Sequence, residues 1–297
     1  MATFHVGCAL ITWKNMPEAA ADWEERALRE SGQAGYAGAP TVIHPEQSAA
    51  ETVARYARYG LMTAPGYFGG TFGETKGREE ILQQAERDAR FMRDVGCTEL
   101  YVAAGGGNFI TPRGKTRREV AGHVQPDDAL PDESFADYAA LINAIGAITL
   151  AQGVRTCFHN HVGTVIETRA EMDHLLSLTD PEHVFVGPDT GHLAWAGADP
   201  VAFCRDYADR IKTVHLKDIH AAVAEQGRAE EWDYPTTVQH GLFAELGAGC
   251  VDFPAIFDTL RAADFAGWVI AETDRTQRAT ALESATVSRA YLRSIGV

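Results

Sequence analysis

Short apolar runs punctuate the chain, and most of the stretches between them have helical spacing. The runs are Phe4 to Ile11, Gly35 to Pro40, Leu61 to Ala64, Leu100 to Ala103, Val154 to Phe158, Val184 to Val186, Ile211 to Leu216 and Trp268 to Ala271. Brief apolar runs bounded by turn residues read as buried strands. Helices are predicted from Pro17, at a first turn, to about Ser31, then over Glu46 to Tyr59, Arg78 to Val95 and Ser134 to about Gln152. Further helices are predicted after Asp199-Pro200, over Phe253 to Ala263 and over Ala279 to Ser294. A connection of helical length between two buried strands implies that the strands run parallel. Repeated along the chain, the alternation predicts one domain over residues 1–297. Its fold class is α/β, a single (β/α)8 TIM barrel with a polar insertion after strand 7, from Ile219 to about Gly249.

In such a barrel the carboxyl ends of the strands carry the chemistry. Strand five runs into His159-Asn160-His161-Val162-Gly163-Thr164, and strand six is followed by Asp189 and His192. Strand seven ends at His215 and Lys217, and strand eight at Glu272-Thr273-Asp274. Strand alternation puts His159 and His161 on one face and Asn160 on the other. Converging on one well, imidazoles and carboxylates suit a divalent cation, Mn2+ or Co2+ first, with Mg2+ or Zn2+ also compatible. Structural zinc is disfavoured because no CxxC pair is present.

Other stretches carry weaker signals. Trp13, just past strand one, reads either as core or as a wall of a polyol pocket. A glycine-rich loop is expected around Gly66, Gly69 and Gly70. Gly105-Gly106-Gly107 lacks phosphate-loop spacing and reads as a tight turn. Asn108 to Pro131 is long and polar, with a basic cluster of Arg113, Lys115, Arg117 and Arg118, and reads as a lid over the strand ends. Glu167 is either a further carboxylate of the site or the opening of a helix.

Hydrophobic residues make up 45% of the chain, enough for a large core, and the net charge is -15. That balance argues against nucleic acid or an anionic membrane as partner and leaves small keto-polyols compatible. Cys8, Cys97, Cys157, Cys204 and Cys250 are odd in number and scattered, as expected for reduced thiols of a cytoplasmic protein. No apolar run is expected to span a membrane, and the amino terminus shows no basic leader. A homo-oligomer is compatible with these features.

DTGH at Asp189 to His192, HLKD at His215 to Asp218 and the strand-end Glu272 resemble the xylose isomerase-like barrel superfamily of sugar isomerases, epimerases and dehydratases. Within it, His159 to Thr164 with Glu167, DTGHLAWAGADP, RIKTVHLKD, GAGCVDF and GWVIAE are most similar to the inosose (2-keto-myo-inositol) dehydratase group. The resemblance implies metal ligands at His159, Asp189, His215 and Glu272, with His159 standing where relatives commonly carry a carboxylate. It implies loss of water from a keto-cyclitol or keto sugar by way of an enolate. Glu272, His161 and Lys217 then take catalytic roles, and Trp13, His192 and Glu167 substrate-binding ones. The alternatives are a metal-dependent ketose isomerase or epimerase, and a non-catalytic metal- or sugar-binding subunit of a complex.

Overall fold

The computed structural model describes residues 2–17, 21–69, 71–72 and 77–297. Gly70, and residues 18–20 of the first predicted helix, lie outside the described residues. The barrel strands are β1 (Thr3–Cys8), β2 (Gly38–Pro40), β3 (Met62–Ala64, resumed at Tyr67–Phe68), β4 (Glu99–Ala103), β5 (Arg155–His159), β6 (Val184–Val186), β7 (Thr213–Ile219) and β8 (Ala266–Glu272). Each pairs in parallel with its sequence neighbour, and β8 returns to β1 in the register Thr3 to Ala266 through Cys8 to Ala271. Parallel bridges from Val186 to Ile211 and from Asp189 to His215 join β6 to β7 and complete the ring. The TIM-barrel expectation is therefore met.

The break in β3 has a local cause. Pro65 has no N–H to give to a ladder, so the strand pairs with β2 before it and with β4 after it. Gly66 then takes the close approach. Its carbonyl accepts from Tyr101 N at 3.0 Å, and a Cβ there would lie 2.6 Å from the Thr41 carbonyl oxygen.

β1 is shorter than its apolar run, because Ile11–Lys14 turns into a short helix that directs Ile11 inward. Inside the barrel Ala9, Ala64, Tyr101 and Ile270 pack together against Ile11 and Trp268. The larger core lies between the strands and the helical layer. Helix Asp132–Ala151 is long and apolar enough, by length and composition, to cross a membrane, contrary to expectation. Here Leu141, Ile142 and Ile145 are buried against the barrel, each contributing roughly 1.5–3 kcal/mol by leaving water.

The insertion is polar in composition but not in packing. It forms helices Ala221–Ala229 and Tyr234–Gln239 and a two-residue strand, Phe243–Ala244, antiparallel to the end of β7. Ala224, Leu242 and Phe243 join Trp195, Val162 and Ala121 in an apolar cluster of their own. Asp218, the last residue of HLKD, pins the return of this segment by accepting from the N–H groups of Ile219, Gly247, Gly249 and Val251.

Candidate metal centre and pocket

Two sequence motifs interlock at the carboxyl ends of β6 and β7. Thr190 Oγ1 donates to the Lys217 carbonyl at 2.7 Å and accepts from Lys217 N at 2.9 Å. Asp189 Oδ1 caps the short helix Thr190–Trp195 by accepting from His192 N. Asn160 acts as a surrogate strand, accepting from Asp189 N at 3.0 Å and donating to Asp189 O at 3.3 Å. Register does the rest, since Asp189 bridges to His215 and Lys217 lies opposite Glu272.

A first group of donors follows from this framework. His159 Nδ1 donates to the Gly187 carbonyl at 3.0 Å, which leaves the Nε2 lone pair free, 3.9 Å from Asp189 Oδ2. His215 Nδ1 lies 4.0 Å from the same oxygen and in contact with Glu272 Oε2. Donor atoms of His159, Asp189 and His215 fall within 4.8 Å of one another. Asp189 Oδ2, both ring nitrogens of His215 and Glu272 Oε2 are buried without a well-formed hydrogen bond, although Lys217 Nζ lies 3.0 Å from Asp189 Oδ2 and His215 Nδ1 touches Glu272 Oε2. Buried polar atoms are rarely left in that state, and here they converge. Nitrogen and carboxylate donors of this kind fit a hard or borderline divalent ion. Burial holds the His159 imidazole well below its ordinary pKa, with His215 and His161 adding to the effect, so it is neutral and able to ligate.

A second group lies beside the first. The rings of His161 and His192 are 3.7 Å apart, and Asp274 completes the set. The cation of this group is the protein's own, since Lys217 Nζ is 3.1 Å from His192 Nε2 and 3.2 Å from Asp274 Oδ2. Burial pulls the ammonium pKa down, but Asp189, Asp274 and Glu272 outweigh it and raise the pKa well above the usual lysine value. Burial likewise pushes Glu272 up, and Lys217 and His215 reverse it to well below the carboxylate range. Asp274 goes the other way, raised by burial despite Lys217 and next to Glu272. His161 Nδ1 donates to the Val162 carbonyl at 2.7 Å, and burial, then Lys217, lowers its pKa to about 4. Its Nε2 is therefore an unprotonated base at neutral pH.

Tyr67 and Tyr101 wall the first group, with centroids 5.2 Å from His159 and 4.3 Å from His215 respectively. Tyr234 covers the second, its ring stacked on His161 at 6.0 Å. Of the residues picked out from sequence, His159, His161, Asp189, His192, His215, Lys217 and Glu272 come together.

Trp13 does not join them. It is buried in the outer core, its indole N–H donated to Glu30 at 2.6 Å, because Ile11–Lys14 winds into a helix and turns the ring away from the pocket. Nor is Glu167 free for a substrate. Its two oxygens accept from Gly122 N at 2.8 Å and Gly163 N at 2.6 Å. The 108–131 segment is a pinned cover rather than a free lid. Buried Arg117 grips Glu171 with both terminal nitrogens and donates to the carbonyls of Thr164 and Asp128. Of the insertion's His220, His240 and Glu245, none lies in either donor group.

Sequence reading missed Asp274, although it stands two residues after Glu272 on the same strand-end face. It also missed Asn160, which faces the neighbouring backbone, and Tyr234, which a turn of the insertion delivers without any local pattern.

A closed parallel ring with imidazoles and carboxylates gathered beyond β5 to β8 defines a (β/α)8 barrel with a metal-type site. More particularly, the chain belongs to the xylose isomerase-like TIM barrel family, whose model matches residues 25–295. An inosose dehydratase of Geobacillus kaustophilus (strain HTA426) is 32% identical over 275 residues, covering 92% of this chain and 88% of that protein. A xylose isomerase-like TIM barrel protein from Mycobacterium smegmatis in complex with magnesium has the same fold, with a TM-score of 0.70 at 16% identity over 99% of this chain and 96% of its own. L-ribulose 3-epimerase matches with a TM-score of 0.69 at 18% identity, over 99% and 94% of the two chains.

Proposed function

We propose that this chain is a divalent-metal-dependent dehydratase that removes water from a keto-cyclitol or keto sugar such as 2-keto-myo-inositol. The observation that carries the reading is the convergence of orphaned donor atoms of Asp189, His215 and Glu272 beside the free Nε2 of His159. The similarity over most of the chain to an inosose dehydratase supports the choice of reaction. His159, Asp189, His215 and Glu272 would hold the ion, with Mn2+ or Co2+ favoured. Bound there, a divalent cation supplies electrophilic polarisation of the substrate ketone.

The chain's own residues account for the proton movements. His161 Nε2 takes the proton from the carbon next to the ketone, being neutral and oriented by its bond to Val162. Glu272 is a poorer base, because Lys217 and His215 lower the proton affinity of its carboxylate to well below the usual range. Lys217, fixed as an ammonium between Asp189, Asp274 and His192, hydrogen-bonds the departing hydroxyl, and the imidazolium formed at His161 returns its proton to that oxygen. The C–H and C–O bonds break, a C=C bond forms, and water leaves. Tyr67 and Tyr234 wall the pocket on either side. Epimerisation needs a second base facing His161 across the carbon, and Glu272, paired with Lys217 and in contact with His215, serves that role badly.

Metal analysis of the purified protein, followed by incubation with 2-keto-myo-inositol, tests the reading. A product lighter by one water, formed only with Mn2+ or Co2+ restored, supports it. Unchanged mass with solvent deuterium entering the substrate indicates an isomerase or epimerase, and absence of bound metal overturns the ligand assignment.

A further inference from the structure

The cover segment carries four cations within six residues, and they do not share one fate. Arg113 pairs with Asp128 at 3.0 Å, Lys115 with Glu231 at 3.0 Å and Arg117 with Glu171 at 2.8 Å. Arg118 has no carboxylate partner among the described residues, in a chain with 41 acidic side chains against 26 Lys and Arg. It is nonetheless held in place. Arg118 N donates to Gly107 O at 3.1 Å, and its carbonyl accepts from Tyr234 N at 3.0 Å. Its stem runs past Gly107, where a Cβ would come within 3.1 Å of Arg118 Cγ. The guanidinium lies 4.7 Å from the centroid of Tyr234, the ring that stacks on His161 at an interplanar angle of 16°.

The pocket is thus polarised. Its floor sets Asp189, Glu272 and Asp274 around the single ammonium of Lys217, while its rim presents an exposed guanidinium one aromatic ring away from His161. An exposed arginine usually gains little from an ion pair, because ordering a long side chain offsets the attraction. Stacking on Tyr234 has already ordered this one, and its fork is shaped for two oxygens of a carboxylate or phosphate.

We infer that Arg118 is a specificity-determining residue that receives an anionic substituent, a carboxylate or a phosphate ester, on the ring opposite the ketone. The inference rests on the reading of the pocket as a keto-polyol site and narrows its substrate class to acidic ring ketones. Calorimetric titration of the wild type and Arg118→Gln with quinate, myo-inositol 1-phosphate and myo-inositol tests it without requiring turnover. The wild type is expected to bind at least one anionic probe about tenfold more tightly than myo-inositol, and the two anionic arms separate carboxylate from phosphate. Arg118→Gln removes that preference, and Arg118→Lys restores part of it. Equal affinity of the wild type for all three, a preference that survives Arg118→Gln, or no binding of either anionic probe would overturn the inference. Absence of bound metal, or of water loss from any ring ketone, neutral or acidic, bears instead on the dehydratase reading.

Discussion

Thr190 and Lys217 exchange two hydrogen bonds, one in each direction, so the start of the short helix after β6 is fastened to the carboxyl end of β7. Gly191 makes the contact close enough, since a Cβ at that position would lie 2.6 Å from Lys217 Cγ. Gly191→Ala is expected to displace Lys217 and to destabilise the fold by about 1–3 kcal/mol through overpacking. Its chemical step should slow more than its melting temperature falls. Wild-type turnover in the alanine variant would show that Lys217 needs no such placement.

Lys217 is a buried ammonium in contact with Asp189, Glu272 and Asp274. Lys217→Met leaves those carboxylates facing one another in a dry site, at a cost of about 3–5 kcal/mol. Added Mn2+ should restore part of the loss, because a ligand that binds only the folded state stabilises it. Denaturant melts with and without the ion read this out, and a variant as stable as the wild type without metal contradicts it.

His159 and His161 are two residues apart but belong to different groups of donors. His159→Gln is expected to lower metal content after dialysis. His161→Gln should retain the metal while turnover falls by roughly 10²–10⁴-fold. Loss of metal in both variants would merge the two groups into one site.

Glu167 links pH to stability. Its folded pKa is raised from 4.5 to about 7, chiefly by burial and against Arg117 and two backbone N–H groups. The folded chain therefore binds this proton more tightly than the unfolded chain. Stability contributed by the protonated form is full below pH 4.5 and falls as pH rises toward 7, by on the order of 3 kcal/mol. Glu167→Gln cannot ionise, so its melting temperature relative to the wild type should improve between pH 5 and pH 8. A constant difference across that range would refute the linkage.

Arg117 is the buried clasp of the 108–131 cover. Arg117→Met strands Glu171, and it is expected to cost about 3–5 kcal/mol and to open the segment to protease. Unchanged cleavage of native protein would show that other contacts hold the cover.

The alternation of apolar runs and helical spacing was enough to give the barrel, because a parallel strand buried on both faces must be followed by a long connection. The same regularity made His159, Asp189, His215 and Glu272 legible, since strand ends in such a ring converge whatever lies between them. Asp274 was within reach of the same alternation. Trp13 was not, since its direction depends on whether the chain extends or winds after Cys8, and its pattern permits both.

What the sequence by itself determined is the ring, the end of it that carries the polar residues, and the donor types gathered there. Tertiary structure alone decided how those donors are divided. It set Lys217 as the cation of His161, His192 and Asp274, left the atoms around Asp189 Oδ2 without well-formed hydrogen bonds, and turned Glu167 and Arg117 from candidate chemistry into fastenings of the cover. The physical reason is range. Periodicity reports which face a residue occupies, whereas the state of a buried charge depends on partners brought within a few ångströms from distant parts of the chain.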